Sequence, residues 1–279
     1  MSVQQEFLYS SHPIDPAMRE QVMPNLRAIE AQHSVTILFA CESGSRGWGF
    51  ASPDSDYDVR FIYVNRLPWY LTVAPGRDVI ELPISGDLDI NGWDLRKALG
   101  LMRESNPTLL EWLRSPIVYR EEAETMARFR ALAERVFSNA KGWHHYTSMA
   151  KKNFREHLQA DEVRYKKYLY VLRPLLAVRW ILTRTGVPPM RFAELAQHTL
   201  DASADAALIA EINALLEVKM RAGEAATSPR WPGIHAFIEA ELARNAAEPA
   251  TAIAAHFDTT AIDALLHDTA LRFTHPTNA

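Results

Sequence analysis

Residues 42–59 read Glu-Ser-Gly-Ser-Arg-Gly-Trp-Gly-Phe-Ala-Ser-Pro-Asp-Ser-Asp-Tyr-Asp-Val. Residues 35–41 (VTILFAC), just before them, are apolar and β-branched, the mark of a buried strand. Residues 56–64 alternate. Tyr57, Val59, Phe61 and Tyr63 face one way, and Asp56, Asp58 and Arg60 the other. Two carboxylates at i and i+2 therefore share a strand face. Aspartate is depleted in strands and like charges on one face repel, so such a pair calls for a neutralising cation. Mg²⁺ suits hard oxygen ligands completed by water and substrate phosphates. The Gly-Ser pair upstream offers backbone N–H groups and a hydroxyl to phosphate oxygens, and Gly44 lets the backbone approach closely. A Gly-Ser dipeptide alone carries almost no information, and Asp-x-Asp alone carries little. The information lies in their order, with ten residues between.

Residues 15–33 read as a helix with Asp15 as its cap and Pro16 at its first position. Residues 42–54, rich in Gly and Ser, read as a loop. Residues 79–84 and 87–93 flank Ser85-Gly86 as a β-hairpin. Asp94 caps a following helix, and Asn106-Pro107 opens another. Beyond residue 120 no strand is evident. Helices are predicted at 121–136, 142–158, 161–184, 203–221, 232–246 and 259–270. The expectation is an α+β fold: a mixed β-sheet with flanking helices in a catalytic domain over 1–120, then an all-helical domain over 121–279.

The composition is that of a soluble globular chain, 48% hydrophobic and 23% charged. A single cysteine, Cys41, excludes an internal disulfide and a cysteine-based zinc site. The N-terminal stretch lacks a basic segment leading into an apolar one, and no run of 18 apolar residues occurs. The expectation is a cytoplasmic protein without signal peptide or membrane partner. The net charge of −4 is uneven, because residues 141–184 carry ten basic and three acidic residues. Such a band serves phosphates or is a solvated helix face. Within it Lys166, Tyr170 and Arg173 fall on one helical face, with Lys167 beside them.

The ordered signature resembles the nucleotidyltransferase superfamily of DNA polymerase β, CCA-adding enzymes, poly(A) polymerases and kanamycin nucleotidyltransferase. Gly44, Ser45, Asp56, Tyr57, Asp58 and Val59 fill its pattern of Gly, Gly or Ser, a spacer, then Asp-apolar-Asp/Glu-apolar. More closely, ESGSRGWGFASPDSDYDVRFIY, GDLDINGWDLRKAL, SNPTLLEWLRSPIVY and KKYLYVLRPLLAVRW resemble nucleotidyltransferases associated with bacterial and phage RNA repair. These blocks span about residues 40–184.

The resemblance implies transfer of a nucleotide from a nucleoside triphosphate with Mg²⁺ or Mn²⁺ as cofactor. It implies Asp56 and Asp58 as metal ligands and a third carboxylate on a later strand. Asp89 is preferred there to Asp87, which adjoins a turn where aspartate commonly bonds local backbone. Gly44, Ser45, Arg46, Arg60, Lys166, Lys167 and Arg173 are the candidate nucleotide-binding residues. Arg46 has an alternative as an ion pair with Glu42, and Arg60 as a salt bridge orienting the aspartates. The basic helix over 161–184 is expected to face the metal site across an interdomain cleft. An RNA end is the first acceptor to consider. Transfer to a protein or small molecule, or an inactive nucleotide-binding module, are the alternatives. No protein partner is indicated.

Overall fold

A computed structural model describes residues 7, 14–184, 186–223, 226–247 and 259–274. In chain order the first elements are α1 (Pro16–His33), β1 (Thr36–Glu42), α2 (Gly44–Trp48), β2 (Tyr57–Val64), α3 (Leu67–Tyr70), β3 (Val79–Glu81) and β4 (Leu88–Asp94). There follow α4 (Leu95–Arg103), α5 (Pro107–Leu113), β5 (Val118–Glu121), α6 (Ala123–Val136), α7 (Asn139–His157), β6 (Glu162–Arg164) and α8 (Tyr165–Arg184). The last are α9 (Phe192–Thr199), α10 (Ala206–Arg221), β7 (Thr227–Pro229), α11 (Pro232–Ala247) and α12 (Thr260–Arg272). The fold is α+β, as expected. It divides into two compact units: Pro13–Gly44, Asp56–Phe137 and Ala255–Ala279 in one, and Met1–His12, Ser45–Ser55 and Ser138–Ala254 in the other.

The first unit holds a five-stranded mixed sheet in the order β3-β4-β2-β1-β5. The β2–β4 pair is parallel, and the others are antiparallel. α1 starts where the sequence places it, with Asp15 Oδ1 accepting from the Ala17 N–H at 2.8 Å. Its Val22, Leu26 and Ile29 bury against Val59, Phe61 and Tyr63 of β2, Ile37 and Ala40 of β1, and Ile90 of β4. The predicted alternation of β2 is thus realised, with its apolar face under α1. α4 packs on β2 and β4, and α6 on β1, without entering that core. They cover the opposite sheet face, toward which Asp58 and Arg60 turn. α12 packs on α6 and α4 in this same unit.

The hairpin is present, but its turn is shifted by one residue. Ser85 and Leu88 exchange N–H···O bonds of 3.1 Å, so Gly86 and Asp87 are the central pair. Gly86 has φ +60°, as the first central residue of a type II′ turn requires.

Among its described residues, the second unit is helical except for an antiparallel ribbon of β6 and β7. Residues 42–54 are not all loop, because α2 forms a single turn in which the Gly49 and Phe50 N–H groups bond Ser45 O at 3.0 Å. Strands do occur beyond residue 120, in this ribbon. Each arm is three residues long, too short to display a period of two, and Glu162–Arg164 replaces the start of the helix expected at 161. The short helix α9 escapes the periodicity search for the same reason of length. Among the described residues, no helix is long and apolar enough to cross a membrane.

Leu26 is fully buried in the α1-side core. Leu26→Ala is expected to lower unfolding stability by about 2–5 kcal/mol in urea with an unchanged m-value. A loss below about 1 kcal/mol would contradict this placement of α1.

Candidate active site

The parallel register of β2 and β4 sets Asp58 opposite Asp89. Both turn away from the α1-side core, and Arg60, two residues along β2, joins them. Its Nη2 donates to Asp58 Oδ1 and to Asp89 Oδ2, each at 2.7 Å. Its Nη1 donates to the carbonyls of Val59 and Asp89 at 3.1 Å. One guanidinium thus bridges two carboxylates that would otherwise repel across neighbouring strands. Of the two readings of Arg60, the orienting salt bridge is the one this geometry displays. Asp56 is exposed and immediately precedes β2. Asp87 is exposed in the hairpin turn, and its carbonyl accepts the Tyr57 N–H at 2.7 Å.

Asp58 is held by the three residues at which β1 ends. Glu42 Oε1 accepts from the Asp58 N–H at 2.8 Å. The Ser43 N–H donates to Asp58 O at 2.8 Å. Gly44 has φ +54°, and a Cβ there would fall on the Asp58 carboxylate. A side chain at position 44 is excluded twice, by backbone conformation and by space. The Gly of the signature therefore has a local reason that concerns Asp58, in addition to any approach by phosphate. Glu42 itself is fully buried, and its Oε2 accepts from the Tyr119 hydroxyl at 2.5 Å.

The remaining candidates lie in the helical unit. Ser45 is half-buried in α2. Arg46 is buried, with Nη2 donating to Ser55 O at 2.7 Å. Trp48 meets Tyr170 of α8 edge-on at 5.5 Å, and the Arg173 guanidinium lies 5.1 Å from the Trp48 ring. Arg173 is buried, its Nε 3.4 Å from Met190 O. Lys166 and Lys167 are half-buried on α8. Lys167 Nζ lies 5.0 Å from the Tyr170 ring centre and 3.2 Å from His157 Nε2. Burial, and then the Lys167 charge, hold the His157 pKa below its ordinary value. The face shared by Tyr170 and Arg173 is therefore real, and it packs on the segment that follows Ser45.

Sequence reasoning passed over Lys219, buried on α10, whose Nζ donates to Ser52 Oγ at 2.9 Å. No local pattern announces a lysine whose partner is 167 residues away. It also passed over Tyr119 and the inward role of Glu42. Cys41 is fully buried and burial pushes its thiol pKa well up, so it is inert as a nucleophile or thiolate ligand.

Among the described residues, no three His, Cys, Asp or Glu side chains gather as a ready-made metal cage. Mg²⁺ commonly takes only one or two carboxylates and completes its shell with water and phosphate. The donor set suits it: hard oxygens from adjacent strands that already converge on a positive group.

Residues 18–268 match the RlaP family, described as the RNA repair pathway DNA polymerase beta family. The chain is 47% identical over 227 residues to the uncharacterized protein YcgL of Bacillus subtilis (strain 168), covering 81% of this chain and 86% of that protein. A nucleotidyltransferase-like protein from Exiguobacterium sibiricum 255-15 is a similar solved structure. It is 12% identical, covers 92% of this chain and 78% of its own, and has a TM-score of 0.31.

Arg60→Ala leaves Asp58 and Asp89 side by side without their shared counter-ion. Urea unfolding at low ionic strength should show a loss of about 1–3 kcal/mol. The deficit should narrow in 1 M salt, where screening shortens to roughly 3 Å. A variant as stable as the parent at low salt would show that the bridge contributes nothing.

Proposed function

We propose that this chain, which belongs to the RNA repair pathway DNA polymerase beta family and is a nucleotidyltransferase, transfers a nucleoside monophosphate from a nucleoside triphosphate to an acceptor hydroxyl, releasing pyrophosphate. The observation that carries the proposal is the in-register pair Asp58 and Asp89, converging on one positive group. With Asp56 they form the carboxylate set that would hold Mg²⁺ or Mn²⁺. Bound there, the divalent cations would neutralise triphosphate charge and favour ionisation of the attacking hydroxyl.

The chain's own residues do the rest. Asp58 presents its carboxylate from a backbone fixed on both N–H and C=O. Asp89 is the carboxylate proposed to accept the attacking hydroxyl's proton. The Ser45 hydroxyl and the N–H groups of the Gly44–Ser45 turn receive phosphate oxygens. Arg60 keeps Asp58 and Asp89 in one orientation. Lys166 and Lys167, half-buried on α8, are the proposed lysines for nucleotide binding in the helical unit. Arg46 and Arg173, both buried beside the segment that follows Ser45, act through the loop that carries that hydroxyl.

An RNA end is the proposed acceptor. Its supports are the family description and the net charge of +7 over residues 141–184, which carry ten basic and three acidic residues.

Calorimetric titration with each ribonucleoside triphosphate should show binding in Mg²⁺ that is largely lost in EDTA, and equally tight binding without metal would refute the metal-dependent site. Pyrophosphate release should fall by about 10²–10³-fold in Asp58→Ala, the size of loss seen when one electrostatic group of a transition state is removed. The variant should still melt cooperatively. Full activity in that variant would remove Asp58 from the catalytic assignment.

A further inference from the structure

Four carboxylates, Asp56, Asp58, Asp89 and Glu42, belong to or touch the residues of this site, and Glu42 differs from the other three in position and surroundings. It pairs with Val59 across the β1–β2 ladder, so its side chain shares the face of Val59, under α1. Asp58 and Asp89 turn to the opposite face. Glu42 is fully buried, and both its oxygens are engaged, Oε1 by the Asp58 N–H at 2.8 Å and Oε2 by the Tyr119 hydroxyl at 2.5 Å. It therefore cannot itself serve as a ligand on the carboxylate face.

Its own backbone is fixed as firmly. The Ser115 hydroxyl donates to Glu42 O at 2.6 Å, and the Glu42 N–H donates to Ile117 O at 2.9 Å. The location of the Oε1 bond has a simple cause. The ladder between β1 and β2 ends where the chain turns away at Gly44. The carbonyl that would continue it is no longer opposite Asp58, and the Glu42 side chain supplies the acceptor instead. A buried carboxylate is a costly way to satisfy one N–H, since a charge removed from water is tolerated only when it is well hydrogen-bonded. A neutral acceptor would satisfy the backbone equally well. What the longer, rigidly anchored side chain adds is a fixed height for the Asp58 backbone relative to β4, and hence a fixed separation between the Asp58 and Asp89 carboxylates.

We propose that Glu42, braced by Tyr119, is a positioning residue that sets the Asp58 carboxylate for divalent-cation binding from behind the sheet. The proposal rests on the metal-binding reading of Asp58 given above. Partners one step removed from a metal typically change its affinity or the activity by 10–100-fold when lost.

The test measures Mn²⁺ affinity of the full chain by the electron paramagnetic resonance of free Mn²⁺, alongside melting curves, for Glu42→Asp, Glu42→Gln, Tyr119→Phe and Asp58→Ala. Glu42→Asp keeps the charge but is one methylene too short to reach the Asp58 N–H. It should weaken Mn²⁺ by about 10–100-fold. Glu42→Gln keeps the reach and one acceptor oxygen, and it should stay within about threefold of the parent. That rescue would not occur if Glu42 acted only through its charge. Tyr119→Phe should weaken binding several-fold while still folding. If Glu42→Asp does not fold, Tyr119→Phe decides by the same criterion. Parent-like Mn²⁺ affinity in both Glu42→Asp and Tyr119→Phe, with affinity lost in Asp58→Ala, overturns the positioning role and leaves the site standing. Unchanged affinity in Asp58→Ala overturns the underlying metal assignment instead.

Discussion

Everything in the candidate site depends on the grip that the end of β1 has on Asp58. Glu42 takes its N–H, Ser43 takes its carbonyl, and the missing side chain of Gly44 leaves room for its carboxylate. The two halves of the signature are thus the two sides of one contact. An apolar strand must precede the Gly because the strand is what aims Glu42 and Ser43 at β2. The residues between the halves are more than a spacer. Ser45–Ser55 belongs to the helical unit, where Arg46 bonds Ser55 O and Ser52 Oγ lies 3.0 Å from Ser55 Oγ and 2.9 Å from Lys219 Nζ. The chain leaves the sheet unit at Gly44 and returns at Asp56, two residues before the one it has just gripped.

The site works against stability in two places. Asp58 and Asp89 set like charges side by side, and Arg60 offsets this with a single bridging guanidinium. Glu42 places a carboxylate in an apolar core, with a tyrosine hydroxyl and a backbone N–H to satisfy it. Proteins tolerate such costs mainly where function requires the arrangement.

Much of this was legible in the sequence because it follows from short-range rules. The period-two alternation at Tyr57 to Tyr63 gave the buried and exposed faces of β2, and the Ser85-Gly86 signal put Asp89 inside a strand and Asp87 beside its turn. The Asp15, Asp94 and Asn106 caps needed only the local preference of short polar side chains for free helix N–H groups. The misses have the opposite character. β5 sits beside β1 through a pairing that no local pattern encodes. Tyr119 reaches Glu42 across 77 residues, and Lys219 reaches Ser52 across 167. β6, β7 and α9 are too short to leave a periodic trace. Arg46 and Arg173 show a further limit: composition marks them as cations, and only the fold reveals that both are buried beside the same loop.

Anomalous scattering of Mn²⁺ from crystals grown with the metal and a non-hydrolysable nucleoside triphosphate locates any cation at these carboxylates. A peak is expected within about 2.0–2.3 Å of oxygens from Asp56 and Asp58, with Asp89 facing the same site and the triphosphate completing the metal's shell. A nucleotide bound with no metal peak near these carboxylates, or a peak ligated elsewhere on the chain, would contradict it.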